Sequence, residues 1–147
     1  MATAINPRDE VFLDTSYALA LSASTDQFHD RALRLATELE AARTRLVTTR
    51  AVLLEIGNAL SRQRYRAAAV HLLQSLEADP SVEVLPLTDE LFARALQLYC
   101  SRPDKEWGLI DCASFVVMSE RALTKALTAD EHFQQYGFRA LLRESDL

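Results

Sequence analysis

Five short β-prone runs lie far apart in this chain, and helix-forming sequence fills nearly all of the space between them. The runs are Val11-Phe12-Leu13, Leu46-Val47-Thr48, Val82 to Pro86, Lys125 to Thr128 and, as a last edge strand, Phe138 to Leu142. Strands separated by helices call for a parallel sheet, because parallel neighbours need long crossovers, and the crossover helices then cover both sheet faces. The expected class is α/β, a three-layer α/β/α sandwich with a short-stranded, mostly parallel central sheet. With 147 residues the chain is near the usual size of one domain, and residues 1–147 are read as a single one.

The helical segments have local start and stop signals. Asp14-Thr15-Ser16 favours a cap or turn ahead of a helix through Tyr17 to Leu21, and Ser24-Thr25-Asp26 offers caps for a longer one through Phe28 to Ala42. Thr49 caps a helix through Arg50 to Arg62 whose centre, Ala51 to Leu60, is nearly all apolar and should be largely buried. Tyr65 to Ala78 reads as a helix stopped by Asp79-Pro80, and Thr88 caps another from Asp89 to about Cys100. A further buried helix runs from about Leu109 to Arg121, and Asp130 opens a turn or short helix.

Charge and composition narrow the function classes. Hydrophobic residues make up 49% of the chain, which is too apolar for disorder, and no apolar run approaches the roughly 20 residues that span a bilayer. The polar start, Met1 to Glu10, lacks the apolar core of a signal peptide, so a cytoplasmic location is expected, with Cys100 and Cys112 as buried free thiols. A formal net charge of -5 argues against indiscriminate binding to nucleic acid. Between Arg43 and Arg66, however, six arginines accompany a single acid, Glu55.

Four acids do not fit a solvated surface. Glu55 stands alone in its apolar run, and Asp111 lies between Leu109-Ile110 and Cys112-Ala113. A buried lone carboxylate costs several kcal/mol in practice, so each needs a partner, a metal or a cleft. Asp14 and Asp130 each follow a strand, at the sheet edge where open α/β proteins form their sites. Read singly, Asp14 and Asp130 fit helix N-caps, and Glu55 or Asp111 fits a partner for a buried arginine. Read together they can converge, and convergence calls for a hard divalent cation such as Mg²⁺ or Mn²⁺, which takes oxygen ligands. Such an ion lowers the pKa of bound water and offsets charge on a phosphate under attack. His29, His71 and His132 lack a second-ligand spacing and are read as structural or surface residues.

These residues resemble a known family. Val11-Phe12-Leu13-Asp14-Thr15-Ser16, the lone Glu55, Trp107 to Phe115 and Leu127-Thr128-Ala129-Asp130-Glu131-His132-Phe133 are similar to the motifs of the PIN-domain nucleases, with the nearest likeness to VapC-type toxins of bacterial toxin–antitoxin pairs. The resemblance extends from about Val11 to Leu141. It implies an Mg²⁺- or Mn²⁺-dependent endoribonuclease, a homodimer restrained by a cognate antitoxin protein. Asp14, Glu55, Asp111 and Asp130 fall on the family's acidic positions, Thr15 and Thr128 on its hydroxyl positions, and Glu131 is a candidate additional acid. Arg62, Arg64 and Arg66, around Tyr65, either contact RNA phosphates or an acidic antitoxin segment, or form a solvated helical face. Trp107 either stacks on a base or packs on the following helix. The rival readings are a non-catalytic PIN-fold RNA- or protein-binding module and an Mg²⁺-dependent phosphoacceptor domain; the second does not account for a glutamate within a buried helix.

Overall fold

In the computed structural model, which describes residues 9–145, five strands form one sheet in the order β3-β2-β1-β4-β5. The strands are β1 (Glu10–Leu13), β2 (Arg45–Thr49), β3 (Val82–Leu85), β4 (Lys125–Leu127) and β5 (Arg139–Ala140), and all four pairings are parallel. Residues 1–8, most of the polar start that bears on export, lie outside the described residues. No helix among the described residues is long and apolar enough to cross a membrane.

Seven helices connect and flank the strands: α1 (Thr15–Ser22), α2 (His29–Ala42), α3 (Arg50–Ala59), α4 (Gln63–Ala78), α5 (Asp89–Ser101), α6 (Leu109–Glu120) and α7 (Glu131–Tyr136). The chain steps from β1 to β2 to β3 in one direction, then returns past β1 to β4 and β5. Right-handed crossovers therefore place α1 to α4 on one face and α5 to α7 on the other. The helix packing follows that division: α1 meets α2 and α3, and α6 meets α5 and α7. The reversal between β1 and β4 is a topological switch point, where the crevice beyond the strand ends is widest.

Local chemistry sets most boundaries. Thr49 and Thr88 accept the Val52 and Leu91 amides at 3.2 and 3.0 Å, capping α3 and α5 as the sequence predicts. Gly137, with φ +114°, ends α7 in a left-handed turn that favours glycine and delivers the chain into β5. Val11 and Phe12 are fully buried because β1 is central and covered on both faces. An aromatic cluster then ties α6 to α7. The Phe115 ring lies 5.0 Å from Phe133, 4.8 Å from Tyr136 and 5.2 Å from Trp107.

Expectations at α3 and Cys100 need correction, and the open alternative at Trp107 is resolved. The α3 helix ends at Ala59, and only one face is buried: Ala51, Val52, Leu53 and Ile56 face the core, whereas Leu54 is 60% exposed and Glu55 is half-buried. An unbroken apolar run hid the side on which the helix meets water. Cys100 is exposed, because it lies on the outer side of α5 near its end, while Cys112 is buried. Trp107 is 4% exposed and donates its indole N–H to Gln135 at 3.0 Å, so it is a packing residue.

Candidate active site

Asp14 follows the last residue of β1, and Thr128 and Asp130 follow β4, so the two chain segments leave adjacent strands side by side. The Asp14 amide donates to Leu127 O at 3.2 Å, continuing the pairing one residue past the strand. Both carboxylates also serve as helix N-caps, Asp14 for α1 and Asp130 for α7. Capping and a site role are thus compatible, since each carboxylate has two oxygens. Asp130 uses Oδ1 to accept the His132 amide at 2.9 Å.

A hydroxyl network fixes Asp14. Thr128 Oγ1 and Ser16 Oγ donate to Asp14 Oδ2 at 2.8 and 3.0 Å. Thr128 Oγ1 also accepts the Asp130 amide at 3.0 Å, and Ser16 Oγ accepts the Ala129 amide at 2.8 Å. The carboxylate is therefore locked through one oxygen to the segment after β4. Asp111, third residue of α6, accepts the Gly108 amide through Oδ2 at 3.0 Å, which binds it to the start of its own helix. The α3 and α6 helices approach each other, and this brings Glu55 to the same opening.

One cleft of about 360 Å³ is lined by all four acids, together with Thr15, Ser16 and His132. The structure brings Asp14, Glu55, Asp111 and Asp130 together, although Asp111 is 97 residues from Asp14 in sequence (111 − 14). Glu131 does not join them: it is exposed and lies 3.5 Å from Arg143. The sequence reading missed His132, whose Nδ1 is 3.1 Å from Asp111 Oδ2 and 3.4 Å from Asp130 Oδ1. Its position two residues after Asp130 was the available signal.

The electrostatics show the strain of this convergence. Burial pushes the Asp14 carboxyl up to about 6, against which the Thr128 and Ser16 hydrogen bonds work, and the Asp111 charge adds to the rise. Asp111 is raised as well, first by burial and further by Asp130, while the Gly108 amide and His132 oppose the rise. Three carboxylates thus act on one another, and no Lys or Arg among the described residues pairs with any of the four acids. The Thr15 hydroxyl is buried in the cleft wall without a hydrogen-bond partner. Oxygen donors in excess, no lysine or arginine to neutralise them among the described residues and an orphaned hydroxyl are what a hard divalent ion with retained water would use.

An open parallel α/β sheet with an acidic cleft at its switch point defines an α/β protein with a carboxylate site beyond its strand ends. A PIN-domain family model matches residues 11–139, and the chain belongs to the PIN-domain family. It is 28% identical over 128 residues to the 23S rRNA-specific endonuclease VapC20 of Mycobacterium tuberculosis, in two strains, across 87% of this chain and 95% of that protein. The crystal structure of M. tuberculosis VapC20, described as a sarcin–ricin loop cleaving toxin, superposes with a TM-score of 0.77 over the same shares of the two chains.

Proposed function

We propose that this chain is a divalent-metal-dependent endoribonuclease, the toxin of a VapC-type pair, that hydrolyses RNA phosphodiester bonds. The observation that carries the reading is the meeting of Asp14, Glu55, Asp111 and Asp130 in one cleft with no lysine or arginine partner among the described residues. Mg²⁺ or Mn²⁺ bound there would supply an activated water and offset charge on the phosphate. The protein's part is positional. Thr128 and Ser16 hold Asp14, the Gly108 amide holds Asp111, and Glu55 approaches from α3, where its half-buried carboxylate can take a proton from water or ligate through it.

The substrate side is supported by the arginines that follow α3. Ala59 lines the cleft, and Arg62 lies three residues on, within about 11 Å along the backbone. Arg62, Arg64 and Arg66 are exposed and none pairs with an acid among the described residues; Arg64 lies over the Tyr65 ring. We assign them to RNA phosphates. We read a cytoplasmic antitoxin as its partner and a homodimer as its assembly, as the resemblance to VapC-type toxins implies; Phe92, Leu96 and Tyr99, all exposed along α5, offer apolar surface for self-association.

The test is cleavage of a panel of structured RNAs, including a 23S rRNA fragment, with Mg²⁺ or Mn²⁺. The parent should cut, and Asp14→Asn and Asp111→Asn should fall by about 100-fold or more, the scale of losing a group that holds transition-state charge. Equal activity in all three proteins would refute the assignment. Binding without cleavage by the parent would favour a non-catalytic RNA-binding module.

A further inference from the structure

The acids account for only part of what surrounds the cleft. His132 belongs to the first turn of α7, and its amide already binds Asp130 Oδ1, so Asp130 and His132 move as one unit. Its ring Nδ1, Asp111 and Asp130 each offer one ligand atom, and these three atoms lie within 4.8 Å of one another. Neighbouring ligands of an octahedral ion with bonds of about 2.1 Å are about 3.0 Å apart. The observed separations from Nδ1, 3.1 and 3.4 Å, are of that size. The same separations also suit hydrogen bonds from a ring N–H, and the two uses draw on the same nitrogen. What distinguishes this nitrogen is that it has two carboxylates within reach, one on α6 and one at the cap ahead of α7, in a cleft whose lining also includes Thr15 with its unpartnered hydroxyl.

We propose that His132 Nδ1 is a direct ligand of the catalytic divalent ion, together with Asp111 and Asp130, making this a mixed nitrogen–oxygen site that favours Mn²⁺ and later transition metals over Mg²⁺. The inference rests on the metal-dependent reading of the acids and extends it. Imidazole suits transition metals, whereas Mg²⁺ is served best by carboxylates and retained water. Asp14 and Glu55 then remain as oxygen donors on the other side of the cleft, direct or through water.

Mn²⁺ is the probe, used with the full chain and read by electron paramagnetic resonance rather than by cleavage. Bound Mn²⁺ in the parent should show the nitrogen-14 modulation of a coordinated imidazole in pulsed spectra. His132→Gln keeps an amide that can hydrogen-bond both carboxylates, so its fold, checked by circular dichroism, should persist while the modulation disappears. Outer-shell changes already cost about 10- to 100-fold in metal affinity, so loss of a direct ligand should weaken Mn²⁺ binding by at least about tenfold. Mg²⁺, measured by competition, should weaken by clearly less. Mn²⁺ that binds the parent in an Asp111-dependent way without nitrogen modulation would overturn the proposal, as would equal losses for both metals in His132→Gln. If instead the parent binds no Mn²⁺, or Asp111→Asn binds it unchanged, the metal reading of the acids fails and takes the histidine ligand with it. The parent spectrum alone decides the matter should the variant not fold.

Discussion

At Asp14, burial raises the carboxyl of the folded protein to about 6 from its ordinary value of 3.8. A group whose folded pKa is raised binds more protons in the native state than in the unfolded one between those two values. Stability of the metal-free protein should therefore fall by roughly 3 kcal/mol as pH rises from about 4 to about 6 and level off above that. Asp14→Asn removes this titration and keeps an oxygen that can accept from Thr128 and Ser16. In chelator at pH 7 the variant should melt above the parent, with a flatter pH dependence, while losing cleavage. Added Mg²⁺ or Mn²⁺ should close most of that gap, because an ion at about 100 times its dissociation constant for the parent stabilises by about 2.7 kcal/mol and the variant binds it less well. Parallel melting curves from pH 4 to 7 would show that this carboxylate carries no such burden.

Two capped helices separate positioning from simple stability. Thr49 and Thr88 both accept the amide three residues on, yet Thr49 is fully buried and opens the helix of Glu55, whereas Thr88 is exposed at α5. Replacing a capping Thr by Ala costs about 1 kcal/mol. Thr49→Ala and Thr88→Ala should each lower stability by about that amount in urea denaturation, and only Thr49→Ala should also weaken Mn²⁺ affinity and cleavage. Equal effects on metal affinity would mean that α3 does not set the position of Glu55. The sequence could name these caps because a cap involves residues within one turn. It misjudged the burial of α3 because an apolar run specifies which residues avoid water but not which side of the helix will meet it; Leu54 carried the error.

Over the molecule as a whole, charge is divided rather than averaged. The net charge is -5, and four of the acids are gathered in one cleft, while Arg62, Arg64 and Arg66 stand exposed beyond the end of α3. If these arginines meet three phosphates of a single strand, replacing all three by Ala should reduce the slope of log affinity against log salt by about 2, at roughly 0.7 per contact. Fluorescence anisotropy with a catalytically silent Asp14→Asn background and a labelled RNA measures this directly. A slope that stays the same would leave the arginines as a solvated face of α4.

The order of strands and helices, the caps at Asp14, Thr49, Thr88 and Asp130 and the identity of the four acids were legible in the sequence, because each depends on periodicity or on neighbours a few residues away; at α2 the expected Ser24-Thr25-Asp26 cap gives way to Phe28, which makes no side-chain cap bond. The expectation of an oxygen-loving metal arose in the same way, since it follows from residue type. Convergence belonged to the tertiary structure. Thr128 reaches Asp14 across 114 residues because parallel pairing sets β1 beside β4, and that pairing exists only once the crossovers have closed. His132 is the clearest case. Its distance from Asp130 is local and was visible, but its distance from Asp111 depends on the packing of α7 against α6 through Phe115, Phe133 and Tyr136. Such packing fills space between segments remote in sequence, so no window along the chain contains it, and the grouping of His132 with Asp111 and Asp130 was fixed only when the core closed.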